Sequence, residues 1–121
     1  MKILIIDDSR TMRSILTSFA QNLGLETSEA GDGVEALEVL DREGAFDAAL
    51  IDWDMPRMDG ITLLREIRAN PAFAEMKAMM VTAQSDFENV TEAIMAGADD
   101  YLMKPLDEAM FVDKLRLIGV V

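Results

Sequence analysis

The sequence contains no cysteine and no histidine. The first absence excludes disulfides, thiolate metal sites and a cysteine nucleophile. The second removes the commonest general base, the commonest metal ligand and any phosphohistidine carried by this chain. A metal would have to be held by oxygen alone, which favours Mg²⁺, Mn²⁺ or Ca²⁺ over zinc. Basic residues are scarce too: 11 Lys and Arg stand against 23 Asp and Glu, for a net charge of −12. Nucleic acid and anionic membrane surfaces repel such a chain, so neither is an expected partner. No apolar run approaches the ~20 residues of a membrane span. The run Ile3 to Ile6 at the N-terminus is too short for an export signal. A cytoplasmic, monomeric protein is the expectation.

What is present fits one ordinary domain. The chain has 121 residues, 50% of them apolar and 28% charged, enough for a core of its own and too few for two. Its apolar pattern alternates between strand and helix five times. Ile3-Leu4-Ile5-Ile6 is an unbroken run. Met12, Ile15, Leu16, Phe19, Ala20 and Leu23 then recur on one helical face, with Gly24 placed to end it. Glu26 to Glu29 reads as a polar strand, and Asp32-Gly33 opens a helix carrying Val34, Leu37 and Leu40 before Gly44. Ala48 to Ile51 is a second buried run. Gly60 to Ala69 is a helix with Ile61, Leu64 and Ile67 inward and Pro71 as its stop. Ala78 to Val81 is a third buried run, after which Ser85 and Glu88 form a capping box for a helix ending near Gly97. Tyr101-Leu102-Met103 is a short last strand, and Asp107 caps a helix with Phe111, Leu115 and Ile118 inward.

Strand and helix in strict alternation imply an α/β fold, a doubly wound parallel sheet with helices on both faces. Strands buried on both faces read as continuous apolar runs. The first, third and fourth do so, whereas the second is polar and the fifth short, which makes those two the edges. Right-handed crossovers then favour the five-stranded order 2-1-3-4-5.

Ligands of such sheets bind at the carboxyl ends of the strands. There the sequence places Asp7 and Asp8 after the first strand, Asp52 after the third, Thr82 after the fourth and Lys104 after the fifth. Whole strand–helix units separate these positions, so they converge in space. Three crowded carboxylates repel one another unless cations join them, and Mg²⁺ together with Lys104 would balance their charge. Thr82 offers a hydroxyl and Lys104 a point charge for a phosphoryl oxygen. A carboxylate nucleophile, a hard metal and phosphate-directed donors match phosphoryl transfer onto a carboxylate. The plainer alternative is that Asp8-Ser9 and Asp59-Gly60 only cap helices.

The segments Asp7-Asp8, Asp52-Trp53-Asp54-Met55-Pro56-Arg57-Met58-Asp59-Gly60, Val81-Thr82-Ala83, Gly97-Ala98-Asp99-Asp100-Tyr101 and Met103-Lys104-Pro105, in this order, resemble a response-regulator receiver domain over the whole chain. The resemblance implies a flavodoxin-like fold with the same strand order. It implies that Asp52 accepts a phosphoryl group from a phosphohistidine of a histidine kinase. Asp8, Asp52 and the backbone carbonyl of Asp54 would ligate Mg²⁺ (Mn²⁺ could replace it), with Asp7 acting through water. Lys104 and the Thr82 hydroxyl would hold the phosphoryl oxygens, and the Lys104-Pro105 bond would be cis. Thr82 and Tyr101 would switch the face of the fourth helix, fifth strand and fifth helix, changing its affinity for a protein target. Asp54 and Gln84 would flank the path of a hydrolytic water and tune the rate of phosphoryl loss. The molecule would thus be a signalling switch, one that catalyses its own phosphorylation and dephosphorylation, and no conventional enzyme.

Other residues have simpler readings. Tyr101 is equally an edge-strand aromatic lying on a neighbouring helix. Trp53 packs beside the site, the 10 methionines are mostly core filler at apolar positions such as Met12, Met79 and Met80, Asp99-Asp100 is a solvated turn, and Glu26 and Glu29 protect an edge strand. The chain ends with its fifth helix, so a single receiver domain over 1–121 without an output domain is expected. Its size, the segment from Asp52 to Pro56 and Tyr101 are most similar to chemotaxis regulators, whose target is a flagellar motor switch. A phosphorelay intermediate or a receiver cut from a longer chain is the runner-up. A haloacid-dehalogenase-type phosphatase (from Asp52-x-Asp54) and a flavodoxin-like cofactor binder are remoter, because adjacent aspartates after the first strand suit neither.

Overall fold

The computed structural model describes residues 1–83 and 87–121, with the backbone alone at residue 87. In chain order the elements are β1 (Lys2–Ile6), α1 (Arg10–Asn22), β2 (Glu26–Ala30), α2 (Gly33–Glu43), β3 (Ala48–Asp52), α3 (Gly60–Ala69), a short 3-10 helix (Pro71–Phe73), β4 (Lys77–Thr82), α4 (Phe87–Met95), β5 (Asp100–Met103) and α5 (Glu108–Leu117). The strands form one parallel sheet in the order β2-β1-β3-β4-β5. The two edges are the polar strand and the short one, as the burial argument requires.

The period of two along each strand divides the core between the faces of the sheet. Ile3, Ile5, Leu50 and Val81 pack with Leu16 and Ala20 of α1 and Phe111 and Leu115 of α5. Leu4, Ile6, Ile51 and Met80 pack on the opposite side with residues of α2, α3 and α4. Each such fully buried aliphatic side chain contributes about 1.5–3 kcal/mol. The helix starts are fixed by side-chain caps: Ser9 accepts from Met12 N–H, Asp32 from Glu35 N–H, Asp59 from Thr62 N–H and Asp107 from Met110 N–H. Ser85, part of the expected capping box for α4, lies outside the described residues, as does Gln84.

Some inward faces differ from their expected phase. Ile15 is 39% exposed, because the buried line of α1 runs through Leu16 and Ala20. On α2, Ala36 and Val39 are buried beside Leu40, while Val34 and Leu37 are half-buried. The buried face of α2 is thus turned by about a quarter of a turn, roughly one residue, from the expected one. Asp99 and Asp100 do not form a merely solvated turn. Asp99 accepts from Arg68 and from Ala78 N–H, and Asp100 opens β5 and accepts from Lys114. Acceptors placed opposite unpaired N–H groups at a strand start explain the difference.

Candidate functional site

Strand register brings the chemistry-bearing residues to one rim. Ile6 pairs with Ile51, so Asp7 follows alongside Asp52, the last residue of β3. Asp52 pairs with Val81, and Thr82, the last residue of β4, pairs with Met103. Lys104 N–H then extends that ladder to the Thr82 carbonyl at 2.8 Å, and the Lys104-Pro105 bond is cis. Asp7 N–H reaches the Ala30 carbonyl at 3.1 Å on the other side. The β3–α3 corner is tight: a Cβ on Gly60 would lie 2.2 Å from the Asp52 carbonyl oxygen. Glycine therefore lets α3 begin against the end of the acceptor strand.

Asp7, Asp52 and Thr82 are almost wholly buried, while Asp8 is exposed at the rim. Asp7, Asp8 and Asp52 each bring a carboxylate oxygen within 4.8 Å of the other two. Lys104 Nζ lies 3.0 Å from Asp52 Oδ1 and 3.3 Å from Asp7 Oδ2. Among the described residues it is the only basic side chain in ion-pair contact with either carboxylate. Burial raises the Asp52 pKa to about 6; Asp7 and Asp8 also push it up, and the Lys104 bond opposes them. Burial works against the Lys104 charge, but Asp52 and Asp7 outweigh it and its pKa is raised, so the ammonium stays charged.

Three carboxylates and one ammonium leave a net charge of about two negative units in a pocket of hard oxygen atoms. That donor set fits a divalent cation such as Mg²⁺.

Of the other expected site residues, Asp54 is exposed two positions beyond Asp52, in a loop closed at its base by Gly60 N–H on the Trp53 carbonyl at 2.8 Å. Trp53 is buried at the edge of the site. Tyr101 is not drawn into the carboxylate cluster. It is half-buried on β5, with Lys114 Nζ 4.8 Å from its ring centre, so the edge-strand reading describes its position. Ser9, not Asp8, caps α1, and Ser9 N–H donates to Asp7 Oδ1 at 2.9 Å.

Sequence reasoning missed two arginines. Arg13 of α1 donates to the Asp7 carbonyl and, at 3.1 Å, to Glu29 of the edge strand. Arg57 forms a forked pair with Asp32. The first has a backbone acceptor, which leaves no trace in a sequence. The second is half legible, since Asp32 stands at the opening of a helical pattern while its pairing with Arg57 leaves no mark in the sequence.

The chain matches the model of the response regulator receiver domain over residues 3–116. It is 43% identical over 119 residues to the chemotaxis protein CheY-3 of Vibrio cholerae, covering 98% of this chain and 91% of that protein. It is 41% identical over 119 residues to the chemotaxis protein CheY of Pseudomonas aeruginosa, covering 98% and 95%. Among solved structures it superimposes on Vibrio cholerae CheY4 with a TM-score of 0.91 at 28% identity, covering 97% of each chain.

Proposed function

The chain belongs to the response regulator receiver domain family, and from that premise we propose that Asp52 is the phosphoryl acceptor of a chemotaxis-type signalling switch. The observation that carries the reading is the buried Asp52 carboxylate, bonded to Lys104 at 3.0 Å and clustered with Asp7 and Asp8. Its pKa of about 6 leaves it mostly ionised at neutral pH, so an oxygen lone pair is available for attack. A carboxylate oxygen of Asp52 forms a bond to phosphorus as the nitrogen–phosphorus bond of a kinase phosphohistidine breaks and the imidazole leaves. Lys104, already on Asp52, moves its ammonium hydrogens to the phosphoryl oxygens, and the Thr82 hydroxyl at the end of β4 donates to another. Asp7, Asp8, Asp52 and the Asp54 carbonyl would hold Mg²⁺, which supplies positive charge to the phosphoryl oxygens. The same groups would steady hydrolysis of the acyl phosphate, with Asp54 as a tuning residue two positions beyond the acceptor; Gln84, the other residue expected to tune it, lies outside the described residues.

Phosphorylation adds acceptor oxygens where Thr82 and Lys104 end neighbouring strands, and their movement is passed to Tyr101 and the outer face of α4, β5 and α5. That face exposes Ile94, Met95 and Leu117, and beside Tyr101 it carries a groove of about 300 Å³ lined by Met103, Met110 and Lys114. The switch therefore acts by changing affinity for a protein target. Relatives named as chemotaxis proteins favour a flagellar motor switch as that target, with a histidine kinase upstream. We read residues 1–121 as one receiver domain of a cytoplasmic protein that acts as a monomer. No helix among the described residues is long and apolar enough to cross a membrane.

The test is labelling by acetyl phosphate followed by intact-protein mass spectrometry. One phosphoryl group per chain is expected with Mg²⁺, and none with EDTA or in Asp52→Asn. Stoichiometric labelling of a folded Asp52→Asn variant would remove Asp52 from its role.

A further inference from the structure

Arg57 is the one non-glycine residue with a positive φ (+65°) among the described residues. L-residues seldom adopt that conformation without an outside constraint. Here the constraint is visible. The guanidinium forks onto Asp32, Nε to Oδ2 at 2.8 Å and Nη2 to Oδ1 at 3.0 Å. The same carboxylate caps α2 through Glu35 N–H at 2.9 Å, so it is held from both sides. One residue further on, the Met58 side chain occupies the space over Gly33, where a Cβ would meet it at 2.9 Å. The outer end of the loop between β3 and α3 is thus seated on the start of α2. Its inner end is closed by Gly60 N–H on the Trp53 carbonyl, and its tip by Met58 N–H on the Pro56 carbonyl at 2.7 Å. Asp54 sits between these two anchors.

We propose that Arg57 and Asp32 are a positioning pair that fixes this loop and thereby sets the affinity of the acidic site for Mg²⁺. The inference rests on the functional reading above, because it takes the Asp54 carbonyl as a ligand. Bulk electrostatics makes the opposite forecast. Arg57 is a cation near a cation site, so removing it would by charge alone strengthen metal binding. A tether predicts weakening, because a ligand on a loosened loop must be ordered each time the ion binds.

The experiment titrates Mg²⁺ at fixed ionic strength against wild type, Arg57→Ala, Arg57→Lys, Asp32→Asn and the double variant Arg57→Ala/Asp32→Asn, following Trp53 fluorescence. Asp32→Asn retains an N-capping oxygen, and Arg57 is exposed, so both variants keep α2 and the core. In Arg57→Ala the Mg²⁺ dissociation constant is expected to rise about tenfold, as for loss of other groups that orient metal ligands. Arg57→Lys restores part of the affinity, and the double variant is no weaker than Arg57→Ala alone. Hydrogen exchange on the metal-free protein supplies a second readout: the Met58 and Gly60 amides lose protection in Arg57→Ala while the Asp7 amide keeps it. Wild-type affinity or tighter in Arg57→Ala overturns the positioning role. A wild-type protein that shows no Mg²⁺ binding overturns the functional reading and this inference together.

Discussion

At the amino-terminal end of the sheet, Arg68 of α3 donates to the carbonyls of Gly97 (2.9 Å), Phe73 (3.2 Å) and Met76 (2.7 Å) and to Asp99 (3.0 Å). Asp99 also accepts from Ala78 N–H at 2.8 Å. One cation there is matched by a carboxylate and three oriented dipoles, and four segments of the chain are tied together. At the carboxyl-terminal end, three carboxylates crowd together; the two buried ones, Asp7 and Asp52, share Lys104, and Asp8 stands exposed beside them. The same sheet thus ends in a satisfied charge on one side and an over-crowded one on the other. A charge whose hydrogen-bond partners are all in place helps to hold chain segments together, whereas crowded buried carboxylates cost stability until a ligand arrives. The first end belongs to folding and the second to function.

The contrast can be broken at either end. The largest effect on stability is expected from Arg68→Ala, which leaves three carbonyls and Asp99 without their partner. Urea denaturation should show a loss of about 3 kcal/mol, with Mg²⁺ affinity little changed. A loss below about 1 kcal/mol would mean that water replaces the arginine and that the amino-terminal end is no clamp.

At the other end the sign reverses. Burial and its acidic neighbours raise the Asp52 pKa from 3.8 to about 6 in the folded protein. The folded state therefore binds the proton more tightly than the unfolded chain does. Stability falls as pH rises from about 4 to about 6, and stays reduced above that. Without metal at pH 7, Asp52→Asn should be more stable than wild type by about 1–2 kcal/mol, with the forfeited Lys104 bond limiting the gain. The difference should vanish below pH 4 and shrink when wild type is saturated with Mg²⁺, both readable from urea midpoints.

The smallest effect sharpens the comparison by testing a site of neither kind. Thr17 Oγ1 on α1 is buried with no hydrogen-bond partner among the described residues. Thr17→Val removes that hydroxyl at nearly constant shape and should stabilise by about 1 kcal/mol, independent of pH and Mg²⁺.

Much of this was legible in the sequence because burial and turn chemistry are local signals. Unbroken apolar runs identified the three inner strands, and the residue after each run located the rim. Asp32, Asp59 and Asp107 were readable as caps from their place before helical patterns. What escaped depends on partners that a sequence does not display. Arg68 and Arg13 are anchored on backbone carbonyls, Arg57 needs a loop folded back on α2, and on α2 small Ala36 and Val39 are buried where Val34 and Leu37 were the expected inward residues. Tyr101 shows a further limit, since its position on β5 is fixed by pattern whereas its part in switching concerns a second conformation.

The most direct measurement of the central claim is Trp53 fluorescence during addition of beryllium fluoride, a phosphoryl mimic, with and without Mg²⁺. Trp53 is buried next to Asp52 and reports on the rim itself. A saturable change that requires Mg²⁺ and is absent in Asp52→Asn is expected; a response without Mg²⁺, or one that survives in Asp52→Asn, would contradict the account.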